Sequence, residues 1–127
     1  MDSDQSFNVL VQGCPSREIM QRLGDKWTPL VLLALAEGPL RFTVLRQRIG
    51  TVTPKVLTST LRTLERDGLV LRTVTAQVPV RVDYELSKLG QSLLGPMQAI
   101  RVWSEEHVPK VLQARDDFDD REETSRL

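Results

Sequence analysis

Lys55, Arg62 and Arg66 stand at spacings of seven and four, with Thr58 and Ser59 between them. At about 100° per residue, Ser59, Arg62 and Arg66 fall within about 40° of Lys55, while Leu57, Leu61 and Leu64 fall near ~180–240°. Cations and hydroxyls on one helical face suit the oxygens of phosphates and the edges of bases. A solvated face carries similar charges, so the surrounding elements must decide. Two other residues have chemistry to offer. Cys14 precedes Pro15 at a helix start, where the positive end of the helix dipole favours a thiolate; its bland counterpart is a small half-buried side chain. His107 has only the solvated Glu105-Glu106 pair near it at ligand spacing, and reads as a surface residue. No metal or cofactor site follows. Neither a Ser/His/Asp set, nor paired carboxylates in an apolar setting, nor a phosphate-binding glycine loop is present, so the sequence does not read as an enzyme.

The cationic stretch is firmly bounded. Thr53 is a good N-cap, Pro54 fits the first helical position, and Gly68 closes the far end. Before it, Cys14-Pro15-Ser16 opens a helix with Ile19, Met20 and Leu23 on its apolar face, ending at Gly24. A second helix is predicted from near Asp25 to Gly38-Pro39, apolar nearly all round and therefore the most buried. Pro29 falls in its first turn, where it is tolerated. Leu40-Arg41-Phe42 reads as a short extended piece, and Val44, Leu45 and Ile49 as a brief helix ending at Gly50. After Gly68 the period becomes two. LVLRTVT and VPVRVDYEL, joined through Ala76-Gln77-Val78-Pro79, predict a β-hairpin. Ser87 then caps a last helix with Leu89, Leu93, Met97, Ile100 and Trp103 at spacings of three and four, which Pro96 should kink or restart.

Composition sets the frame. The chain has 127 residues, 40% of them hydrophobic, which suits one globular domain near the size where a partner chain helps. No apolar run reaches the ~18 residues of a membrane span. The start, MDSDQSFNVLVQ, is acidic where a secretory signal needs cations. The single cysteine forms no internal disulfide, so a reducing cytoplasm is the expected location. The formal net charge of zero hides an asymmetry. Residues 41–81 carry eight Lys and Arg against Glu65 and Asp67, net +6, while residues 113–127 carry net −3. The expected organisation is a flexible arm over 1–12, a folded domain over 13–112 and a charged, disordered tail over 113–127.

Helix, glycine turn, capped helix with a basic outer face, then a hairpin is the order of a winged helix-turn-helix, a mainly α fold with a small β-hairpin (α+β). In such a fold the helix starting at Pro54 is the recognition helix, which enters the major groove. Thr53, Lys55, Thr58, Ser59 and Arg62 then face base edges, and Arg66 sits better for backbone phosphates. Arg41 adds to the basic segment, Arg72 would hold the backbone beside the helix, and Arg81, on the return strand of the wing, would reach a phosphate or the minor groove. Trp27 and Trp103 read as core and interface anchors, since both have apolar neighbours.

Over roughly positions 13 to 108 the chain resembles the HxlR family of bacterial winged-helix regulators. The resemblance is carried by Cys14-Pro15, LGDKWT from Leu23, EGPLRF from Glu37, TPKVLTSTLRTLERDGLV from Thr53, VPVRVDYELSKLG from Val78, and Trp103. Two loops depart from the family pattern: Pro79-Val80, where two prolines are common, and Gly50-Thr51-Val52, where a Pro-Gly-Ile-like turn is common. The resemblance implies a sequence-specific regulator, a repressor in type, that binds a palindromic site on double-stranded DNA as a homodimer. The first and last helices would build the interface, here through Ile19, Met20, Leu23, Leu89, Leu93, Met97, Ile100 and Trp103. It also implies that Cys14 stands where some members sense electrophiles or oxidants. Two alternatives remain open at this level: a regulator that answers a metabolite rather than a thiol reagent, and a winged-helix module that docks on an acidic protein.

Overall fold

The computed structural model describes residues 6–126. It divides into two units, one ending at Leu94 and one beginning at Gly95. Mostly helical with a small antiparallel sheet, the first unit is a winged helix. Its elements are α1 (Pro15–Leu23), α2 (Thr28–Ala34), β1 (Leu40–Arg41), α3 (Phe42–Ile49), α4 (Pro54–Arg66), β2 (Val70–Thr75), β3 (Arg81–Leu86) and α5 (Lys88–Gln91). The strands lie in the order β1-β3-β2, all antiparallel.

Leucines of the helices make the core. Val31 and Leu32 of α2, Leu35 just beyond its end, Leu45 of α3, and Leu57, Leu61 and Leu64 of α4 are at most 1% exposed. Val52, Val70, Tyr84 and Leu86 close the core from the turn and the sheet. Each fully buried aliphatic side chain of this kind contributes about 1.5–3 kcal/mol of transfer free energy. The leucine face of α4 is therefore fixed inward, and its cationic face is held outward by the same constraint.

Several boundaries differ from the sequence reading for local reasons. α2 begins at Thr28, not near Asp25. Asp25 acts as a cap outside it: its Oδ1 accepts from the Trp27 and Thr28 amides at 3.0 and 2.8 Å, and its Oδ2 accepts from the Thr28 hydroxyl. Ser87 caps only the four residues of α5, through a 3.0 Å bond from the Gly90 amide. The chain restarts at Leu94, with Gly95 and Pro96 in the first turn of the long α6 (Leu94–Ser125). Leu89 and Leu93 thus precede the long helix rather than lying on it. Within the stretch 113–127, expected to be disordered, α6 instead runs on to Ser125, passing Pro109, and Leu127 lies outside the described residues. Side-chain bonds such as Gln113 to Asp117 at 3.0 Å support this stretch. Of the expected flexible arm, residues 1–5 lie outside the described residues. Asn8 to Cys14 fold into turns through Val11 N to Asn8 O (3.1 Å) and Cys14 N to Val11 O (3.2 Å).

Candidate nucleic-acid interface

The start of α4 is built by its own residues. Thr53 Oγ1 accepts from the Val56 amide at 3.2 Å, and Pro54 occupies the first turn, where its missing N–H costs nothing. The turn before it is fixed by Arg46, whose Nε donates to the Val52 carbonyl at 2.9 Å. Gly50 occupies φ +102°, a conformation only glycine adopts readily. At the other end Gly68, at φ +76°, donates to Glu65 O while Leu69 donates to Leu64 O, so two carbonyls of the last turn are satisfied and the chain is redirected into β2.

On this frame Lys55, Thr58, Ser59, Arg62 and Arg66 are all exposed and line one shallow groove, together with Thr63 and Glu65. Arg72, on β2, meets Arg62 and Thr58 at a smaller hollow over Tyr84. Arg41 and Arg81 come together on a third groove, with Phe42, Thr43, Thr58, Val80, Val82 and Tyr84. The fold thus brings every cation predicted for the interface onto adjoining surfaces of α4, β1 and the hairpin. Among the described residues no carboxylate lies at ion-pair distance from Arg41, Lys55, Arg62, Arg66 or Arg72. Arg81 differs: its Nε donates to both oxygens of Asp83, at 3.2 and 3.0 Å. Asp67, adjacent to Arg66 in sequence, pairs instead with Arg22 at 2.7 Å. Arg46 and Thr43 escaped the sequence reading, because nothing local marks a side chain whose role is set by a turn or a neighbouring strand.

The other predicted residues lie elsewhere. Cys14 is the half-buried N-cap residue of α1. Its Sγ lies 3.1 Å from Ser16 Oγ and accepts from the Asn8 amide at 3.4 Å. The Ser16 hydroxyl first, then the Asn8 amide, hold its thiol below the ordinary range. Ser16, two residues on, was a readable signal; Asn8 was not. Ile19, Leu23, Leu69, Leu89 and Leu93 line an apolar hollow with Asp67 and Ser92 at its rim. Ile19, Met20 and Leu89 are about half exposed, at 49, 51 and 57%. Met97, Ile100 and Trp103 stand on α6, where Ile100 and Trp103 are 58 and 56% exposed. His107 stacks on Trp103 with centroids 4.6 Å apart, and its Nδ1 bonds the Trp103 carbonyl at 2.8 Å. Among the described residues no group of His, Cys, Asp and Glu is placed to hold a metal, and no helix is long and apolar enough to cross a membrane.

Residues 22–111 match the HxlR-like helix-turn-helix family. The chain is 39% identical over 110 residues to the uncharacterized HTH-type transcriptional regulator YtfH of Escherichia coli (strain K12), covering 87% of each chain. Among solved structures it is similar to the transcriptional regulator ytfH from Salmonella typhimurium, with TM-score 0.83 and 36% identity, over 87% of this chain and 99% of that one. It is also similar to the redox regulator HypR in its oxidized form, with TM-score 0.67 and 33% identity, over 73% of this chain and 96% of that one. With its core, its capped α4 and its three-stranded sheet, the chain belongs to the HxlR-like helix-turn-helix family of winged-helix, DNA-binding transcription regulators.

Proposed function

We propose that the protein binds a palindromic operator as a homodimer and acts as a repressor in the cytoplasm. In this reading α4 lies in the major groove. Lys55, Thr58, Ser59 and Arg62, with Thr53 and Pro54 at the helix start, face base edges, while Arg41, Arg66, Arg72 and Arg81 bind phosphates. The observation that carries the reading is the exposed face of α4, whose cations have no carboxylate partner among the described residues while its leucines are fully buried. Cations left without internal partners are available to exchange counterions for phosphates.

The two-fold pairing is supported by exposed apolar residues on both terminal helices: Ile19 and Met20 on α1, Ile100 and Trp103 on α6. Effector control through Cys14 is supported by its activated thiol and by the likeness to a redox regulator. The apolar hollow beside α1 favours a second reading, in which a metabolite bound there replaces the thiol as the signal. Footprinting on the protein's own upstream DNA tests the whole. Two protected half-sites about one turn apart, roughly 34–36 Å, are expected. A flat dependence of binding on salt would instead favour a protein-docking module, because phosphate contacts make that dependence steep.

A further inference from the structure

We infer that the apolar hollow beside α1 takes a small apolar amine, whose ammonium is held by the free oxygen of Asp67. The inference rests on the effector reading of this hollow given above, and names the class of ligand which that reading leaves open.

The lining sorts ligands by charge. The hollow measures about 300 Å³, at the small end of small-molecule sites (~300–1,000 Å³). Its walls are aliphatic side chains of α1, of the turn after α4, and of α5 and the residues beyond it, and its polar lining is Asp67 and Ser92. The Ser92 hydroxyl donates to the Leu89 carbonyl, and the amides of Asp67, Leu69, Ser92 and Leu93 donate within the fold. A carboxylate or phosphate therefore meets no free donor from these groups. Asp67 is different. Its Oδ2 accepts from Arg22 at 2.7 Å, while its Oδ1 accepts no hydrogen bond among the described residues. Arg22 does not neutralise the neighbourhood, because it also pairs with Glu18 at 3.4 Å and lies in the field of Asp25. One guanidinium thus answers three carboxylates. A carboxylate 25% exposed beside apolar walls holds a cation more strongly than one in open water.

Occupancy would reach the DNA-binding elements through the same wall. Leu69, 7% exposed, lies in the turn that closes α4 and opens β2, and its carbonyl accepts from the Ser87 amide. An ammonium on Oδ1 would share the carboxylate with Arg22, loosening the tie between α1 and the C-cap of α4, while the apolar body presses on Leu69. Ile19 and Leu89, about half exposed, belong to the expected subunit interface, so a second subunit would close over the bound amine.

The test compares three probes with one apolar body on the full chain, by calorimetry: cyclohexylmethylamine, cyclohexylmethanol and ionised cyclohexylacetic acid. Wild type should bind the amine about tenfold more tightly than the alcohol, the scale of one charged hydrogen bond, and the acid most weakly. Asp67→Asn should bring the amine down to the affinity of the alcohol. Arg22→Gln, which leaves Asp67 unshared, should tighten the amine. Ser92→Phe, which fills the hollow, should remove binding of all three. Circular dichroism checks each fold; if Asp67→Asn unfolds, Arg22→Gln and Ser92→Phe carry the test. An acid bound as well as the amine, an amine indifferent to Asp67→Asn, or binding that survives Ser92→Phe overturns the site. The same probes are then added to the protein on a duplex obtained by in vitro selection, where release by the amine supports the site and the effector reading together. Release by the alcohol or acid alone keeps the effector reading and overturns the amine. Amine binding in the expected order without release keeps the site and overturns the effector reading. No binding by any probe overturns both.

Discussion

The Arg22 guanidinium donates to the Asp67 carboxylate across 2.7 Å, tying the end of α1 to the C-cap of α4, 45 residues away. Both side chains are 25% exposed, and the bond it donates to Asp67 holds the Arg22 guanidinium above its already high range. The pair couples the helix that begins at Cys14 to the helix that carries Lys55 and Arg62. Arg22→Ala and Asp67→Asn should each lower the thermal midpoint, more at low than at high salt, because a partly exposed pair is screened. The two losses should not add, since either substitution removes the same contact. Thermal melts at two salt concentrations check both statements, and additive losses would show that each residue acts separately.

Gly90 is constrained from outside its own helix. A Cβ there would collide with the Leu69 carbonyl, which accepts from the Ser87 amide at 3.0 Å and cannot move without breaking that bond. Ser87 is itself engaged, with Gly90 N donating to its hydroxyl and that hydroxyl donating to Gly68 O. Gly90→Ala should therefore destabilise the first unit by about 1–3 kcal/mol, the usual cost of overpacking a tight site. Urea unfolding measures it; an unchanged midpoint would mean that the Gly68–Leu69 turn yields freely.

The two faces of α4 predict opposite failures. Leu61→Ala should cost about 2–5 kcal/mol of stability through the cavity it leaves. Lys55→Ala or Arg62→Ala should leave stability nearly unchanged and relax base preference at one position by about 1–3 kcal/mol. Thermal melts and binding to a panel of single-base variants separate the two classes. If Lys55→Ala and Arg62→Ala weaken all sequences equally, those side chains bind phosphates and the bases are read elsewhere.

What the sequence revealed follows the range of the physics involved. The cap at Thr53, the leucine stripe of α4, the hairpin and the restart near Pro96 are set by residues within a few positions of one another, and all were legible. The end of ordered structure was not. Residues 113–125 are charged and poor in apolar groups, yet remain helical to Ser125, since an existing helix is extended more cheaply than one is nucleated. Sequence separation hid the remaining features. Arg46 at the Val52 carbonyl, Arg22 at Asp67 and the register that brings Arg41 to Asp83 depend on contacts six to 45 residues apart.

Trp103 and Leu93 are expected to anchor the subunit interface. Exposure of 56% is unusual for a tryptophan without a binding role, and its stacking on His107 leaves the ring surface largely uncovered. Leu93→Ala together with Trp103→Ala should weaken the dimer, at about 2–5 kcal/mol for each large side chain truncated from a buried site. Analytical ultracentrifugation at low micromolar concentration checks this. Sedimentation like that of the wild type would move the interface elsewhere, with the exposed Phe118 on the last turns of α6 the next place to look.

Cys14 combines an activated thiol with a position at the start of α1. The Ser16 hydroxyl and the Asn8 amide stabilise the thiolate in the folded protein, and its titration is lowered accordingly. The sign follows from linkage. Below the folded midpoint both states are protonated and the thiol contributes nothing. Between the folded midpoint and the ordinary thiol value the unfolded chain binds the extra proton, so stability rises with pH across that window. Reaction with iodoacetamide should thus reach half-maximum at lower pH in the folded protein than in urea, and Ser16→Ala should move the folded value upward. For regulation, the thiolate displaces iodide or adds to an electrophile, and the resulting adduct sits on the helix that Arg22 links to α4. A shift of α1 by an ångström or more would disturb the half-site spacing while each wing and recognition helix stays folded. Electrophile treatment should therefore release operator DNA from the wild type and not from Cys14→Ser, with the untreated variant binding normally. Equal release from both proteins, or retention of DNA by wild type whose modification is verified by mass, would leave Cys14 with a structural role only.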